Sequence, residues 1–389
     1  MSLRIAIIGA GPGGTTLARL LQTNNVNCTI FDLDDSNLSR SQGGSLDLHP
    51  ETGQLALKEA GLFDEFTKYM RLEGSALRIL NPSGNILLDI KGDSPRAEMR
   101  PEIDRSQLRD LLINSLKPGT IQWEKKLVNI ESKLNGKFDL HFADRTVEQD
   151  YDLVIGADGA WSKVRKALTD VKPFYSGIFG IETRIEDVNN RFPATGELIG
   201  TGSCFFLGEG KGLLAQRNSD RSARIYAMLR VSEDWSGSCG IDWQNRNAAV
   251  EGLLSQQFDH WDEKGKLWVR NGDEVFLRPL YMLPIGFKWT PKSGVTLLGD
   301  AAHLMTPFAG VGVNLAMADA LDLSKAIIPA YRNEISLSAA LEQYENKMYE
   351  RSGESAQRTM NNLNLMFSGE TAENIANTFK QFMLGDGDR

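Results

Sequence analysis

Three short runs of nearly unbroken apolar residues punctuate the chain: Arg4-Ile5-Ala6-Ile7-Ile8, Asp152-Leu153-Val154-Ile155-Gly156 and Val295-Thr296-Leu297-Leu298. Runs of this length without polar alternation suit parallel strands covered on both faces. Each leads at once into a turn rich in glycine and aspartate, namely Gly9 to Gly14, Ala157-Asp158-Gly159 and Gly299-Asp300. They read as three strand-to-turn junctions of one sheet, and because long stretches separate them the domain is discontinuous in sequence. A helix is predicted over Gly13–Gln22. A second strand over Asn27–Phe31, ending in Asp32, completes a βαβ unit. Between Phe174 and Val275 short β-like runs such as Arg224–Val231 alternate with polar turns such as Asn218-Ser219-Asp220, which predicts a sheet-rich second module. Within Trp243–Trp261, Val250, Leu253, Leu254 and Phe258 recur at helical spacing and place a helix against that module. From Ser336 to Met366, Leu337, Leu341, Tyr344 and Met348 predict a long terminal helix. There is no internal repeat and no low-complexity segment.

Composition narrows the class without changing this picture. The 389 residues are 41% apolar and 24% charged, close to a soluble globular average and enough for more than one domain. A formal net charge of −8 argues against a nucleic-acid binder, because phosphate backbones reward basic surfaces. Cys28, Cys204 and Cys239 are odd in number and widely spaced, so neither a disulfide framework nor a thiolate zinc site is expected. The apolar run Leu3–Ile8 is too short for a signal or a membrane span. The expectation is a cytoplasmic protein without stable membrane association. No feature fixes an oligomeric state.

The first turn fits GxGxxG through Gly9, Gly11 and Gly14, directly after a buried strand and before a helix, the context that gives the pattern meaning. Glycine lets the backbone turn tightly and approach a pyrophosphate, which then rests on the N–H groups and positive end of the helix. Asp32 ends the next strand, where a carboxylate can accept hydrogen bonds from ribose hydroxyls. Asp300 is placed in the same way at the end of the third run. Gly310 and Gly312 permit close backbone approach before a helix that starts near Val313. His303, with no His/Cys/Asp spacing around it, reads as structural, and no metal is expected.

The stretch Asp152 to Arg165 resembles the second fingerprint of the para-hydroxybenzoate hydroxylase family of flavoprotein monooxygenases, and Gly299-Asp300-Ala301-Ala302-His303 with Pro307, Gly310, Gly312 and Asn314 resembles the third. The resemblance implies an α/β fold: a Rossmann-like FAD-binding domain from 1–75, 101–172 and 276–330, an inserted β-sheet substrate domain from 76–100 and 173–275, and a C-terminal helical segment from 331–389. It implies FAD contacts at Gly9, Gly11, Gly14, Asp32, Asp158, Asp300, Pro307, Gly310, Val311, Gly312, Val313 and Asn314. It also sets Arg105 against the ribityl or phosphate portion of the flavin. Arg109, one helical turn further on in a segment Asp104–Leu116 that reads as helix, suits a solvated basic face equally well.

Gly43-Gly44-Ser45-Leu46-Asp47-Leu48-His49 and Pro307-Phe308-Ala309-Gly310 are similar to strings of the tetracycline-inactivating flavin monooxygenases. That resemblance carries over Asp47 as a flavin contact and Arg40 as a nicotinamide contact. It departs on the substrate sheet, with Glu182 where those enzymes place Gln and no arginine near Cys204 where they place their substrate-binding Arg. Glu182 is thus a candidate substrate carboxylate, or equally a surface strand charge. The family reading implies a monooxygenase in which NADPH or NADH reduces FAD, O2 adds, and a flavin C4a-hydroperoxide hydroxylates an aromatic or polyketide-like small molecule. Tetracycline-like substrates belong to that class. The segment Leu304–Val311 and the second module are expected to shield the reaction from water. A flavin dehydrogenase or oxidase and a non-catalytic binding protein on the same scaffold are the alternatives. A halogenase is disfavoured by the lack of a Trp-x-Trp-x-Ile-Pro string.

Overall fold

The computed structural model describes residues 3–36, 43–93 and 98–385. With strands numbered along the chain, the three apolar runs become β1 (Ile5–Ile8), β11 (Leu153–Gly156) and β17 (Val295–Leu297). They lie side by side in a parallel sheet of order β17-β11-β1-β2-β7, with β2 at Thr29–Phe31 and β7 at Ile121–Gln122. Every residue of the three is buried, which explains their lack of polar alternation. The helix Pro12–Thr23 follows β1 and packs into the same core through Leu17 and Leu21, with Ala320 and Leu323 of a later helix, Gly312–Tyr331. An antiparallel three-stranded sheet, β8 (Leu127–Ser132), β9 (Phe138–Phe142) and β10 (Val147–Tyr151), closes one side of that core through Phe138, Leu140 and Phe142.

A two-stranded ribbon, β3 (Ser45–Asp47) against β6 (Glu102–Asp104), sets Asp47 opposite Glu102 and Ser45 opposite Asp104. It runs directly into the helix Arg105–Asn114. Arg109 on that helix is buried and ion-paired with Asp34 at 3.3 Å, so the solvated-face alternative for it does not hold. The cation lies inward because the helix packs by Leu108, Leu111 and Leu112, leaving Arg109 at the seam with β2.

The second module is a seven-stranded sheet of order β16-β12-β15-β14-β13-β4-β5, antiparallel except for β13 with β4. Its strands are β4 (Leu77–Leu80), β5 (Ile86–Ile90), β12 (Phe174–Ile185), β13 (Ser203–Gly208), β14 (Lys211–Arg217), β15 (Ala223–Arg230) and β16 (Phe276–Met282). β16 carries the sheet past the break expected at 275. Pro279 is tolerated there because β16 is an edge strand, where a missing N–H costs no ladder bond. Alternation sends Phe179, Ile181, Leu213, Ala215, Ile225 and Ala227 to the rear, against the helices Arg246–Gln257 and Glu263–Arg270. Ile178, Leu207 and Met228 point to the front, where Leu363, Met366 and Phe367 cover them.

Those last residues belong to a helix, Leu337–Phe367, capped by the Ser336 side chain on Ala339 N–H. At 1.5 Å per residue its 31 residues reach roughly 46 Å. It starts on the parallel sheet, where the Tyr344 hydroxyl donates to Leu297 C=O at 2.8 Å, and ends on the seven-stranded one. A further helix, Ala372–Gly385, adds Ile375 and Ala376 to the front cover. Among the described residues no helix is long and apolar enough to cross a membrane.

Burial pushes the Cys28 and Cys204 thiols up to about 12, while Cys239 is half-buried in a short surface helix end. In the native protein at about pH 8, iodoacetamide should therefore modify Cys239 first, since the thiolate is the nucleophile. Peptide mass spectrometry showing Cys204 labelled ahead of Cys239 without unfolding would contradict the sheet as described.

Candidate functional site

The ends of β1, β11 and β17 meet, and steric detail shows why glycine is required. Gly9 has φ of +111°, and a Cβ there would lie 2.3 Å from the Ala157 carbonyl oxygen. At Gly14 a Cβ would lie 2.1 Å from the Gly9 oxygen. Both glycines serve contact between the β1 turn, its helix and β11. Gly11 differs, because a Cβ there meets nothing within 4 Å, and the same holds for Gly312. These two stand at the starts of the helices Pro12–Thr23 and Gly312–Tyr331, neither of which has a side-chain cap or an acidic residue in its first turn. The helices touch near those starts, where a Cβ on Gly13 would sit 3.3 Å from Ala316 Cβ. Two uncapped, positively polarised helix ends thus come from touching helices, each with open space at its glycine.

Carboxylates frame that space. Asp32 accepts from Ala10 N–H at 2.6 Å and Asp34 N–H at 2.9 Å, tying the glycine turn to the end of β2 and leaving lone pairs for a hydroxyl donor. Asp300 is exposed and has no hydrogen-bond partner among the described residues. Asp158 is committed to its own turn, accepting from Ser162 Oγ at 2.5 Å and from Lys163 N–H at 2.6 Å; burial raises its pKa. Its part is to shape the second junction. Arg165, quoted only as part of a fingerprint, welds that junction to the third, donating to Ala160 C=O at 2.6 Å and Ala301 C=O at 3.0 Å from a buried position.

The segment after Pro307 turns through Gly310, in the left-handed region at φ +65°, and Val311 into the Gly312 helix, with Val313 in its first turn. A Cβ on Gly310 would lie 3.7 Å from Asp47 Oδ1, so Asp47 and this turn share one rim. Asn314 joins them: its amide donates to Asp47 C=O at 2.8 Å and accepts from His49 N–H at 2.8 Å and Thr52 Oγ at 3.1 Å. Arg105 reaches the same region from β6. Its guanidinium lies 3.0 Å from where a Gly43 Cβ would be, and its buried Nε has no partner. A buried guanidinium nitrogen without a partner, two uncapped helix starts and a partnerless carboxylate fit an anionic cofactor that carries hydroxyls. Arg40, the expected nicotinamide contact, lies outside the described residues.

His303 is buried, its Nε2 2.6 Å from Asp319 Oδ2; burial opposes its charge but Asp319 outweighs that and raises its pKa. Asp319 also accepts from Gly299 N–H at 3.0 Å and pairs with Arg351 at 2.7 Å, so this histidine buttresses the third junction from behind. Among the described residues no group could hold a metal ion.

The front face of the seven-stranded sheet meets the cradle. Gln216 Nε2 donates to Ser45 C=O at 3.0 Å, and a Cβ on Gly44 would collide with that glutamine. Cross-strand register sets Glu182, Tyr226, Leu214 and Phe205 in one row. Glu182 is buried and bonded to Arg224 and, at 2.8 Å, to Arg278 Nε, which removes the surface-charge alternative. Phe308, from the segment Leu304–Val311, joins the apolar end of this face, stacking on Phe367 at 5.0 Å, while Asn362 Nδ2 bonds its carbonyl at 2.9 Å. Burial, then Glu182, push the Tyr226 hydroxyl pKa up. Glu102 was not singled out from the sequence. It faces Asp47 across the ribbon with Ser45 Oγ bonded to it, and burial, then the Asp47 charge, push its carboxyl up to about 7. Only the pairing of two short strands far apart in sequence reveals it.

Gly14→Ala should destabilise the apo-protein by about 1–3 kcal/mol or more, as overpacking does. Gly11→Ala should melt like the parent yet bind FAD more weakly. Arg105→Ala should weaken FAD by roughly tenfold, the scale of one charge-assisted hydrogen bond. Thermal melts and flavin-fluorescence titrations read these effects. Unchanged affinity in Gly11→Ala would move the phosphates away from this turn.

A family model described as "FAD binding domain" matches residues 2–199 and 289–359. Monooxygenase asqM of Emericella nidulans is 33% identical, with 96% of this chain and 97% of that protein covered. Monooxygenase penA of Penicillium thymicola is 30% identical at 97% and 98% coverage. Among solved structures, Klebsiella pneumoniae HpxO complexed with FAD and uric acid shares the fold at TM-score 0.76 and 20% identity, covering 98% of this chain and 97% of that one. Tetracycline destructase Tet(51) shares it at TM-score 0.71 and 20% identity, covering 98% of this chain and 96% of that one. The tetracycline enzymes are therefore neighbours in fold, while the two fungal monooxygenases match at higher identity. Well over half of the chain matches the FAD-binding model and nearly all of it matches full-length relatives, so this chain belongs to the FAD-dependent monooxygenases.

Proposed function

We propose that the enzyme uses NADPH or NADH and O2 to hydroxylate an aromatic or polyketide-like small molecule held between the cradle and the front of the seven-stranded sheet. The observation that carries this is the row Glu182–Tyr226–Leu214–Phe205, polar at one end and flat and apolar at the other, beside the strands that abut Ser45. Such a wall suits a ring system with one hydrogen-bonding edge. Bound FAD supplies hydride acceptance and oxygen activation; the residues named here supply position and dryness. Gly11, Asp32 and Asp300 would hold the dinucleotide, with Gly9 and Gly14 shaping the turn beneath it, while Arg105, Asp47 and Gly310 to Asn314 would hold the flavin end. The uncapped helix start at Gly312 would favour negative charge on a flavin held there. Phe308, pinned by Asn362 and Phe367, keeps water from the apolar end.

Glu182 is proposed as the substrate-orienting carboxylate, fixed by Arg224 and the half-exposed Arg278. Tetracyclines belong in the first substrate panel because of the shared fold. The differing residue at 182 argues for other members of the class.

The purified protein should be yellow and should oxidise NADPH or NADH faster when its substrate is present, with matching O2 uptake. Glu182→Gln should raise KM for that substrate at least tenfold, about 1.4 kcal/mol, with flavin content near the parent value, and should lower the melting temperature because buried Arg224 loses its counter-charge. No substrate-linked O2 uptake across a panel of phenols and polyketides, tetracycline included, would sink the reading.

A further inference from the structure

The ribbon β3–β6 concentrates acidic groups at the rim of the cradle. Asp47 and Glu102 stand directly opposite each other, and Asp104 stands opposite Ser45 two residues further on. Directly opposed side chains have Cβ atoms about 4.5–5.5 Å apart, so two charged carboxylates there repel. The basic groups nearby are already engaged elsewhere. Arg71 donates to Asp104 at 3.2 Å, to Ser45 Oγ at 3.0 Å and to Arg217 C=O at 3.1 Å. His49 Nε2 lies 2.9 Å from Asp47 Oδ2. Asp104 further accepts from Ser219 N–H at 3.0 Å and Ser219 Oγ at 2.7 Å. Glu102 is left with a neutral partner, the Ser45 hydroxyl, and no ion pair among the described residues.

Glu102 is also held in place. Its backbone bridges to Arg71 on both sides, at 2.7 and 3.1 Å, and a Cβ on Gly74 would sit 2.8 Å from Glu102 Cβ. The stem is packed flush against that glycine. Asp47, its opposite number, has its carbonyl held by Asn314 and its carboxylate beside Gly310.

We propose that Glu102 is a positioning residue of the flavin cradle: retained as the neutral acid, it keeps Asp47 seated against the Gly310–Asn314 turn, so that FAD binding is coupled to one proton. The inference rests on the assignment of Asp47 to the cradle. The groups facing Glu102 are Asp47 and Ser45 from β3, Asp104 from its own strand and Arg71 from the segment beside it; the Arg71 charge and the Ser45 hydroxyl favour an ionised Glu102, but burial and the Asp47 charge outweigh them. A carboxyl pushed up to about 7 by burial and then by Asp47 loses its proton as pH rises through neutrality, so FAD affinity is highest below that range and falls above it.

The test is FAD affinity of the apo-protein, read by flavin-fluorescence quenching from about pH 6 to about pH 8.5. The parent should lose on the order of tenfold in affinity across this range, the scale of one linked proton. Glu102→Gln, a neutral isostere, should bind like the parent at the acid end and stay flat. Glu102→Ala should bind weakly throughout. A parent profile no steeper than that of Glu102→Gln overturns the proposal, as does Glu102→Gln binding as weakly as Glu102→Ala at the acid end. Asp47→Asn should weaken FAD and flatten the profile. If it changes neither, the placement of Asp47 in the cradle fails, and the route through it fails with it, separately from any result at Glu102.

Discussion

The cradle depends on a contact that only glycine allows. With Gly9 and Gly14 reduced to bare Cα atoms, the β1 turn lies against Ala157 of the β11 turn, and the first helix begins within contact of the Gly312 helix. Three strand ends and two helix starts then converge from segments that are distant in sequence. A single methyl group at either glycine would overlap a carbonyl oxygen and part the junctions. Gly11 and Gly312 belong to the same motifs yet meet no protein atom, so within one fingerprint some glycines serve the fold and others leave room for the ligand. The pattern GxGxxG does not make that distinction; the packing does.

Buried charge is the second constraint. Asp319 gathers His303, Arg351 and the Gly299 N–H, and Arg165 clasps carbonyls of two junctions. Removing one partner from such a group leaves a desolvated charge and costs about 3–5 kcal/mol, whereas the intact group contributes little net stability. These networks therefore act chiefly by fixing where Gly299 and Ala301 lie relative to Ala160. The same logic applies on the seven-stranded sheet. Glu182 is held between two arginines, and its orientation towards the front face is set by bonds rather than by packing.

Much of the first domain was legible because parallel strands and glycine turns leave local signatures. The runs at Ile5, Leu153 and Val295 became adjacent strands, and the spacing from Leu337 to Met348 became part of one long helix. What the sequence hid lies in pairings between distant segments. Arg109 could not be told from a surface cation because nothing local shows that Asp34 meets it. β16 fell outside the expected module because Pro279 masks a strand that only its edge position permits. Glu102 and Gln216 carried no motif at all; Glu102 matters through its neighbour across the ribbon and Gln216 through its bond from the seven-stranded sheet to that ribbon. The helix Ala372–Gly385 supplies only a few covering residues and was not separable from the tail.

This contrast bears on how the family divides its labour. The half of the site that grips a dinucleotide is written in contiguous motifs, because a helix start, a glycine turn and a strand-end acid are local devices. The half proposed to face the molecule to be oxidised is written across strands, one residue from each of β12, β15, β14 and β13. A substitution in that row changes the wall without disturbing the ladder, since backbone pairing does not depend on which side chain points forward. Relatives can thus keep the cradle and exchange the row. Full-length similarity consequently identifies the cofactor chemistry before it identifies the substrate, and on that sheet Glu182 stands in the front row while Cys204 packs behind it.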